Sequence, residues 1–323
     1  DLFFCISGFI MVVTSARLFG QPGATRNFLR RRALRLVPLY WLATGAFGMV
    51  LALGTQPGPA QPVQAWLASL LFIPYPTRGI EGGMVFPLLS LGWSLNYEVL
   101  FYLLFSVAIV LPARRAVLAV WAALLLLTAA GAVLEPDHPA LVFWSRPIVL
   151  EFGMGMLVGL GWLTGRRLPA SWCTALALAA LAWLLADPLN MTQAGRGAPT
   201  PNDLMRLLGW GMPAALALAA AVALQRPAGH TARASALLQP VAWLARLGDW
   251  SYALYLFHPF MLIAMAHVWL RLQAATGMPP GWMLPAMLAG SVGLAALVHH
   301  RVDLPLARRL AQGWPLIRLR TAA

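Results

Sequence analysis

The sequence predicts an all-α fold, a polytopic bundle of membrane-spanning helices. Three observations carry that expectation. Of 323 residues, 60% are hydrophobic and 10% charged, where a soluble domain carries about a quarter charged. Apolar runs of about 20 residues, the length that crosses a bilayer as a helix, recur along the whole chain. All 23 basic residues are arginines, and they gather in the short loops between those runs, as in proteins oriented by the positive-inside rule.

Nine runs are long enough to span. The first, Asp1 to Phe19, holds Ser7 and Gly8 in its interior and ends before Gly20 and Pro22. The second, Leu36 to Leu53, begins where a cluster of arginines stops and ends at Gly54-Thr55-Gln56-Pro57. Val63 to Ile73 follows; it is too short to span, so it is expected at the interface or as a re-entrant segment within a long excursion from Gly54 to Ser90. Leu91 to Leu111 comes next, then the almost purely Ala/Leu run Ala116 to Leu134 and the run Leu141 to Leu163. Leu168 to Ala186 and Leu207 to Leu224 share the Ala/Leu composition of the fourth run, and these three read as scaffold. Trp250 to Leu270 and Trp282 to His300 complete the set.

Arginine placement gives the orientation. With Arg26 to Arg35 inside, alternation puts Arg114/Arg115, Arg166/Arg167, Arg226/Arg233/Arg246 and Arg301 to Arg320 inside as well. Only the scattered Arg78, Arg146, Arg196, Arg206 and Arg271 fall outside. Residues 1–310 then form the membrane domain and residues 311–323 a cytoplasmic tail, with Asp1 on the outer side. Asp1 opens within an apolar run that lacks a charged flank, so the sequence is expected to lack its start, with one more helix upstream.

Composition also excludes. There is no lysine, so Schiff-base chemistry is out. A pI near 11.4 suggests nucleic acid only when the charge lies on a soluble basic face, and these arginines sit in membrane loops. Cys5 and Cys173 lie in apolar runs without ligand spacing, so neither a disulfide framework nor a metal site is expected.

A charge at bilayer depth is costly, so each polar residue inside a span is a candidate site. Glu98 lies in Gly92-Trp93-Ser94-Leu95-Asn96-Tyr97-Glu98, and spacing of four aligns Ser94, Glu98 and Tyr102 as one stripe facing the bundle. Glu98 is either a reacting group or a helix-pairing partner for an arginine. Ser251, Tyr255 and His258 share a face ahead of Pro259, which is expected to open a kink at His258; the alternative for His258 is an ordinary interhelical hydrogen bond. Arg32 and Arg35, three apart, can grip a phosphate together, or can anchor the helix on anionic lipid as Arg30 and Arg31 are expected to do. Gly8 allows close helix approach and Ser7 a hydrogen bond to a neighbour. Arg146 is expected to pair with Glu151, Asp303 with Arg301 or Arg308, and His299 and His300 to be solvated.

These landmarks line up with a family. Asp1-Leu2-Phe3-Phe4-Cys5-Ile6-Ser7-Gly8-Phe9 resembles the D-x-F-F-x-x-S-G-F run of the acyltransferase-3 family of integral membrane O-acyltransferases. Arg32-Ala33-Leu34-Arg35-Leu36-Val37-Pro38 resembles its R-x-x-R-[IL]-x-P element, Trp93 to Tyr102 its W-[ST]-L-x-x-E-x-x-F-Y element, and Ser251 to His258 its S-Y-x-[IL]-Y-L-x-H element. The resemblance covers nearly the full length. Asn96-Tyr97-Glu98 with the lead-in Pro87-Leu88-Leu89 is most similar to the exopolysaccharide O-acetyltransferase branch.

The resemblance implies a multi-pass protein of the bacterial inner membrane that moves an acyl group, usually acetyl, from cytoplasmic acyl-CoA to a hydroxyl of a polysaccharide or lipid-linked glycan. It implies no permanently bound cofactor; acyl-CoA is the donor substrate. Arg32 and Arg35 would bind its phosphates, and Glu98, Tyr102, Tyr255 and His258 would carry or position the chemistry. Ser7, Gly8, Trp93, Ser94 and Ser251 would pack the site. The family's base histidine lies upstream of the D-x-F-F run, beyond this sequence, so the sequence by itself is expected to be inactive. A reading from another class is a proton-coupled transporter or glycan flippase using Glu98 and His258.

Overall fold

The computed structural model describes residues 1–53, 62–76, 85–165, 169–193, 203–224, 239–277 and 279–313. The sequence expectations for Gly54 to Gln61, Arg78, Arg166/Arg167, Arg196, Arg226, Arg233 and residues 314–323 lie outside them. The described residues are helical, with no strand among them.

In chain order the helices are α1 (Leu2–Thr14), α2 (Ala24–Leu53), the short α3 (Val63–Leu70), α4 (Trp93–Ala108), α5 (Ala113–Leu134), α6 (Pro139–Trp144), α7 (Leu150–Leu163), α8 (Ala170–Ala186), α9 (Asp203–Arg206), α10 (Met212–Leu224), α11 (Gln239–Thr276), α12 (Met283–Val298) and α13 (Leu304–Gly313). A π-turn at Leu207–Gly211 joins α9 to α10, and another at His299–Asp303 joins α12 to α13. Among the described residues, six helices are long and apolar enough to cross a membrane, and three shorter apolar helices are Leu2–Thr14, Pro147–Leu163 and Ala170–Ala186. Each falls on one of the nine apolar runs.

The ends differ from the hydropathy reading. α2 starts at Ala24, so Arg26 to Arg35 are already helical, and α11 starts at Gln239, well before Trp250. Arginine is a good helix former, whereas hydropathy marks only the stretch that lipid tolerates. α1 instead stops at Thr14, because the chain turns there through Gly20 and Gly23, at φ +71° and +74°. Val63–Leu70 is a helix of eight residues, too short to span, as expected.

The described residues divide into two compact units, the first formed by those within Asp1–Arg30 and Ser94–Pro227 and the second by those within Arg31–Trp93 and Ala228–Pro315. In the first unit α1 lies directly against α7. A Cβ on Gly8 would sit inside the Phe152 carbonyl oxygen, and one on Gly155 inside the Cys5 carbonyl oxygen. Gly155 and Gly159 form a G-x-x-x-G pair on α7, the small-residue pattern that lets helix backbones touch in lipid, where no hydrophobic force draws them together. An aromatic core fills the space beside this crossing: Phe152 stacks on Phe101 at 4.5 Å and meets Phe4 at 4.8 Å, while Phe28 meets Phe105 at 4.9 Å. Of the Ala/Leu helices, α5 and α8 turn an exposed face outward, whereas α10 packs against α1, α7 and α8. Leu126 of α5 is 70% exposed and Leu185 of α8 78%, which in a bundle of this composition means lipid contact.

In the second unit, Tyr40 of α2 stacks on Phe72 at 4.6 Å and the Trp41 indole N–H donates to the Leu70 carbonyl at 2.8 Å. The Leu88 N–H donates to Ser69 Oγ at 2.8 Å, which ties the Pro87-Leu88-Leu89 lead-in to the end of α3. α11 packs along α12.

Overpacking a closed helix crossing costs about 1–3 kcal/mol. Gly155→Ala should therefore lower the thermal midpoint in detergent, whereas Gly161→Ala, with open space around its Cβ, should leave it unchanged or raise it. Equal effects of the two would mean that the α1–α7 contact does not hold the unit together.

Candidate active site

The sequence-predicted residues fall in both units: Ser7, Gly8, Ser94, Glu98 and Tyr102 in the first, and Arg32, Arg35, Trp93, Ser251, Tyr255 and His258 in the second.

In the first unit the polar stripe of α4 is buried, with Ser94 at 6%, Glu98 at 7% and Tyr102 at 7% exposure. The Tyr102 hydroxyl donates to Glu98 Oε1 at 2.5 Å, and Ser7 Oγ, from α1, donates to the same oxygen at 3.0 Å. Two hydroxyl donors converge on one carboxylate oxygen. That arrangement stabilises charge where water is absent, and a proton can pass along either contact. Gly8, one residue on from Ser7, allows the α7 contact that holds α1 in place.

Two further polar side chains of this unit, neither expected in the site from sequence, are buried as well. Asn96, in the middle of the α4 motif, and Glu151, at the start of α7, are both fully buried, and neither the Asn96 amide nor the Glu151 carboxylate has a hydrogen-bond partner among the described residues. The Tyr97 ring stacks on Phe143 at 4.1 Å and its hydroxyl donates to the Phe143 carbonyl at 2.8 Å. Intramembrane position was the available signal for Glu151. The expected Arg146–Glu151 pair does not form: Arg146 makes a two-pronged ion pair with Asp203, at 2.7 Å through each nitrogen, and Arg206 makes another with Asp1 at 2.9 and 3.2 Å. Arg30 also departs from expectation, since it is 6% exposed and not a lipid-facing anchor; Arg31 is exposed.

In the second unit, α11 runs unbroken through Pro259. Proline leaves the carbonyl four residues back without its helical donor. The His258 ring answers this, with Nδ1 3.1 Å from the Tyr255 carbonyl and 3.0 Å from that of Leu254. Both partners are acceptors, so Nδ1 carries the proton and Nε2 of the neutral ring is an acceptor. The Tyr255 hydroxyl donates to the Leu91 carbonyl, and that of Tyr252 to the Leu36 carbonyl at 2.7 Å. Ser251 is exposed and donates to the Gly248 carbonyl at 2.7 Å, so it closes its own helical turn and does not share the setting of Tyr255.

Arg32 is half-buried and Arg35 exposed. Arg35 lines a cavity of about 720 Å³ with Arg246, Asp249, Trp250, His299 and His300. His300 is exposed, as expected, but His299 is not simply solvated and Asp303 has no arginine partner among the described residues at this turn: His299 Nδ1 lies 3.1 Å from Asp303 Oδ2 across the π-turn, a contact that spacing of four permits on any helix. No cluster of three or more metal-ligating side chains occurs among the described residues.

The model of the acyltransferase-3 family, described as an acyltransferase domain, matches residues 1–300. The chain is 32% identical over 315 residues to the exopolysaccharide production protein ExoZ of Rhizobium meliloti (strain 1021), covering 96% of this chain and 89% of that protein. It is 29% identical over 355 residues to the acyltransferase MdmB of Streptomyces mycarofaciens, covering 98% and 82%. No solved structure matches.

Groups in direct contact couple by about 0.5–3 kcal/mol in a double-mutant cycle. Ser7→Ala and Glu98→Gln should therefore be non-additive in unfolding free energy in detergent. Strict additivity would separate the two side chains.

Proposed function

Since this chain belongs to the acyltransferase-3 family, we propose that it O-acylates an exported or cell-surface polysaccharide, taking an acetyl group from cytoplasmic acetyl-CoA across the bacterial inner membrane. The name of the ExoZ relative supports the polysaccharide, and the arginine distribution supports a cytoplasmic C-terminus. The reaction breaks the donor's C–S bond and forms a C–O bond to the sugar, while the sugar's hydroxyl proton ends on the departing thiolate. It needs a proton acceptor near that hydroxyl and donors for the oxyanion of the tetrahedral intermediate.

One observation carries the reading: Ser7, Glu98 and Tyr102, drawn from two separate family motifs, form one buried hydrogen-bonded group. In the proposed mechanism Glu98 supports the base and moves the proton. Tyr102, which already donates to Glu98, can turn its hydroxyl to the oxyanion as Glu98 takes up a proton. His258 offers Nε2 to a hydroxyl of the acceptor or donor, since its other nitrogen is committed to the backbone. Tyr255, bonded to the Leu91 carbonyl, holds the α11 segment that presents His258. Arg32 and Arg35 bind phosphates of acyl-CoA; planar guanidinium forks suit that task.

The test is radiolabelled acetyl-CoA supplied to membranes carrying the complete gene product, with label recovered in polysaccharide as the expected result. Transport of glycan without incorporated label would favour the transporter reading. Glu98→Gln should lower transfer by about 10²–10⁴-fold, the usual contribution of a positioned acid–base group. Full activity in that variant would return Glu98 to helix pairing. Replacing Arg32 and Arg35 together by alanine should raise the KM for acetyl-CoA at least about tenfold, because each charged hydrogen bond contributes roughly 1.5–3 kcal/mol. Insertion into the membrane should be unaffected.

A further inference from the structure

We propose that the cavity lined by Arg35, Arg246, Trp250 and His300 seats the nucleotide handle of the donor, an adenosine bearing phosphates. This extends the acyl-CoA reading above and rests on it. Arg35 comes from α2, Arg246, Asp249 and Trp250 from α11, and His299 and His300 from the π-turn, so three separate elements within one unit converge on one space. At about 720 Å³ the cavity falls in the range of roughly 300–1,000 Å³ typical of small-ligand sites.

Its chemistry selects among ligands. Two permanently charged guanidiniums open to solvent call for an anion with several oxygens. Against them stand two carboxylates, of which Asp303 is taken up by His299 at 3.1 Å, leaving Asp249 to accept from an exocyclic amine. Trp250 is half-buried, with the His300 ring meeting it edge-on at 5.9 Å and 77°, so the cavity has one rigid aromatic wall. Planar bases stack on such walls, with about 1–3 kcal/mol gained per base in single-stranded nucleic acid complexes. Successive side chains on an α-helix point about 100° apart; here two consecutive histidines line the same space, and they do so at a π-turn, a distortion found often at functional sites. A lipid headgroup shares the phosphate but has no flat base to place against Trp250.

The experiment uses the complete protein in nanodiscs and measures binding of labelled adenosine 3′,5′-bisphosphate by equilibrium dialysis. Arg246→Ala and Trp250→Ala should each weaken binding about tenfold, the scale of one lost charged contact or one lost stack, with the thermal midpoint unchanged. With acetyl-CoA and S-acetylpantetheine as alternative donors, the ratio of their KM values should rise by a similar factor in both variants, since the second donor lacks the handle. Wild-type affinity for the bisphosphate in both variants would overturn the proposal. So would displacement of the bisphosphate by phosphatidylglycerol but not by coenzyme A, which would make the cavity a lipid site. Absence of transfer from every thioester, with bisphosphate binding intact and sensitive to both substitutions, would overturn the acyl-transfer reading while upholding this site.

Discussion

Glu98 governs the first unit, because a carboxylate in an apolar bundle must be supplied with donors by the protein itself. Tyr102 supplies one from the next turn of the same helix, a contact that helical geometry provides without tertiary help. Ser7 supplies the other from α1, and that contact depends on where α1 is held. The holding is done by absent side chains: Gly8 against α7, and Gly155 and Gly159 against α1, bring the backbones together so closely that no Cβ fits at Gly8 or Gly155. Phe4, Phe101 and Phe152 then lock the crossing through stacked rings, so glycines and aromatics remote from any chemistry determine whether Ser7 reaches the carboxylate.

The second unit solves the same problem with proline and histidine. Pro259 removes a donor from α11, and the neighbouring imidazole supplies one to the same carbonyl, with helical residues on both sides of the proline. The repair fixes the tautomer of His258 and leaves Nε2 as the nitrogen able to accept a proton or a hydroxyl hydrogen bond. His299 is arranged likewise, its Nδ1 held by Asp303 within the π-turn. In both cases one ring nitrogen is used for structure, and the sequence offers no sign of it beyond a proline or an aspartate at the right interval.

Hydropathy revealed where the apolar helices lie because lipid imposes that pattern residue by residue, and the stripe of Ser94, Glu98 and Tyr102 was legible because its members share one helix. Helix ends were not legible, since the arginines from Arg26 to Arg35 already belong to a helix that hydropathy begins only at Leu36. Ion-pair partners were misread for a related reason. Arg146 lies five residues from Glu151 yet bonds Asp203, 57 positions away, and Arg206 bonds Asp1 at a separation of 205. Nearness along the chain says little about which charges meet once helices pack. The cavity at Arg35 escaped notice because its residues come from three distant segments, none of which resembles a binding motif by itself.

Charge divides the labour that the proposed reaction requires. A phosphorylated handle cannot enter hydrocarbon without a large desolvation cost, so in the proposed reaction the groups that bind it belong on exposed surface, and Arg35 and Arg246 are both exposed. The thioester and the sugar hydroxyl are neutral, and the charge that develops between them is brief. A dry setting with donors already in place stabilises that charge more than water does, because no solvent has to reorient. Glu98, with two hydroxyls aimed at one oxygen and less than a tenth of its surface exposed, meets that second demand. Exchanging the two kinds of site would defeat both: a buried arginine pair would lack a counter-ion before the donor bound, and a solvated carboxylate would lose the advantage of preorganised donors.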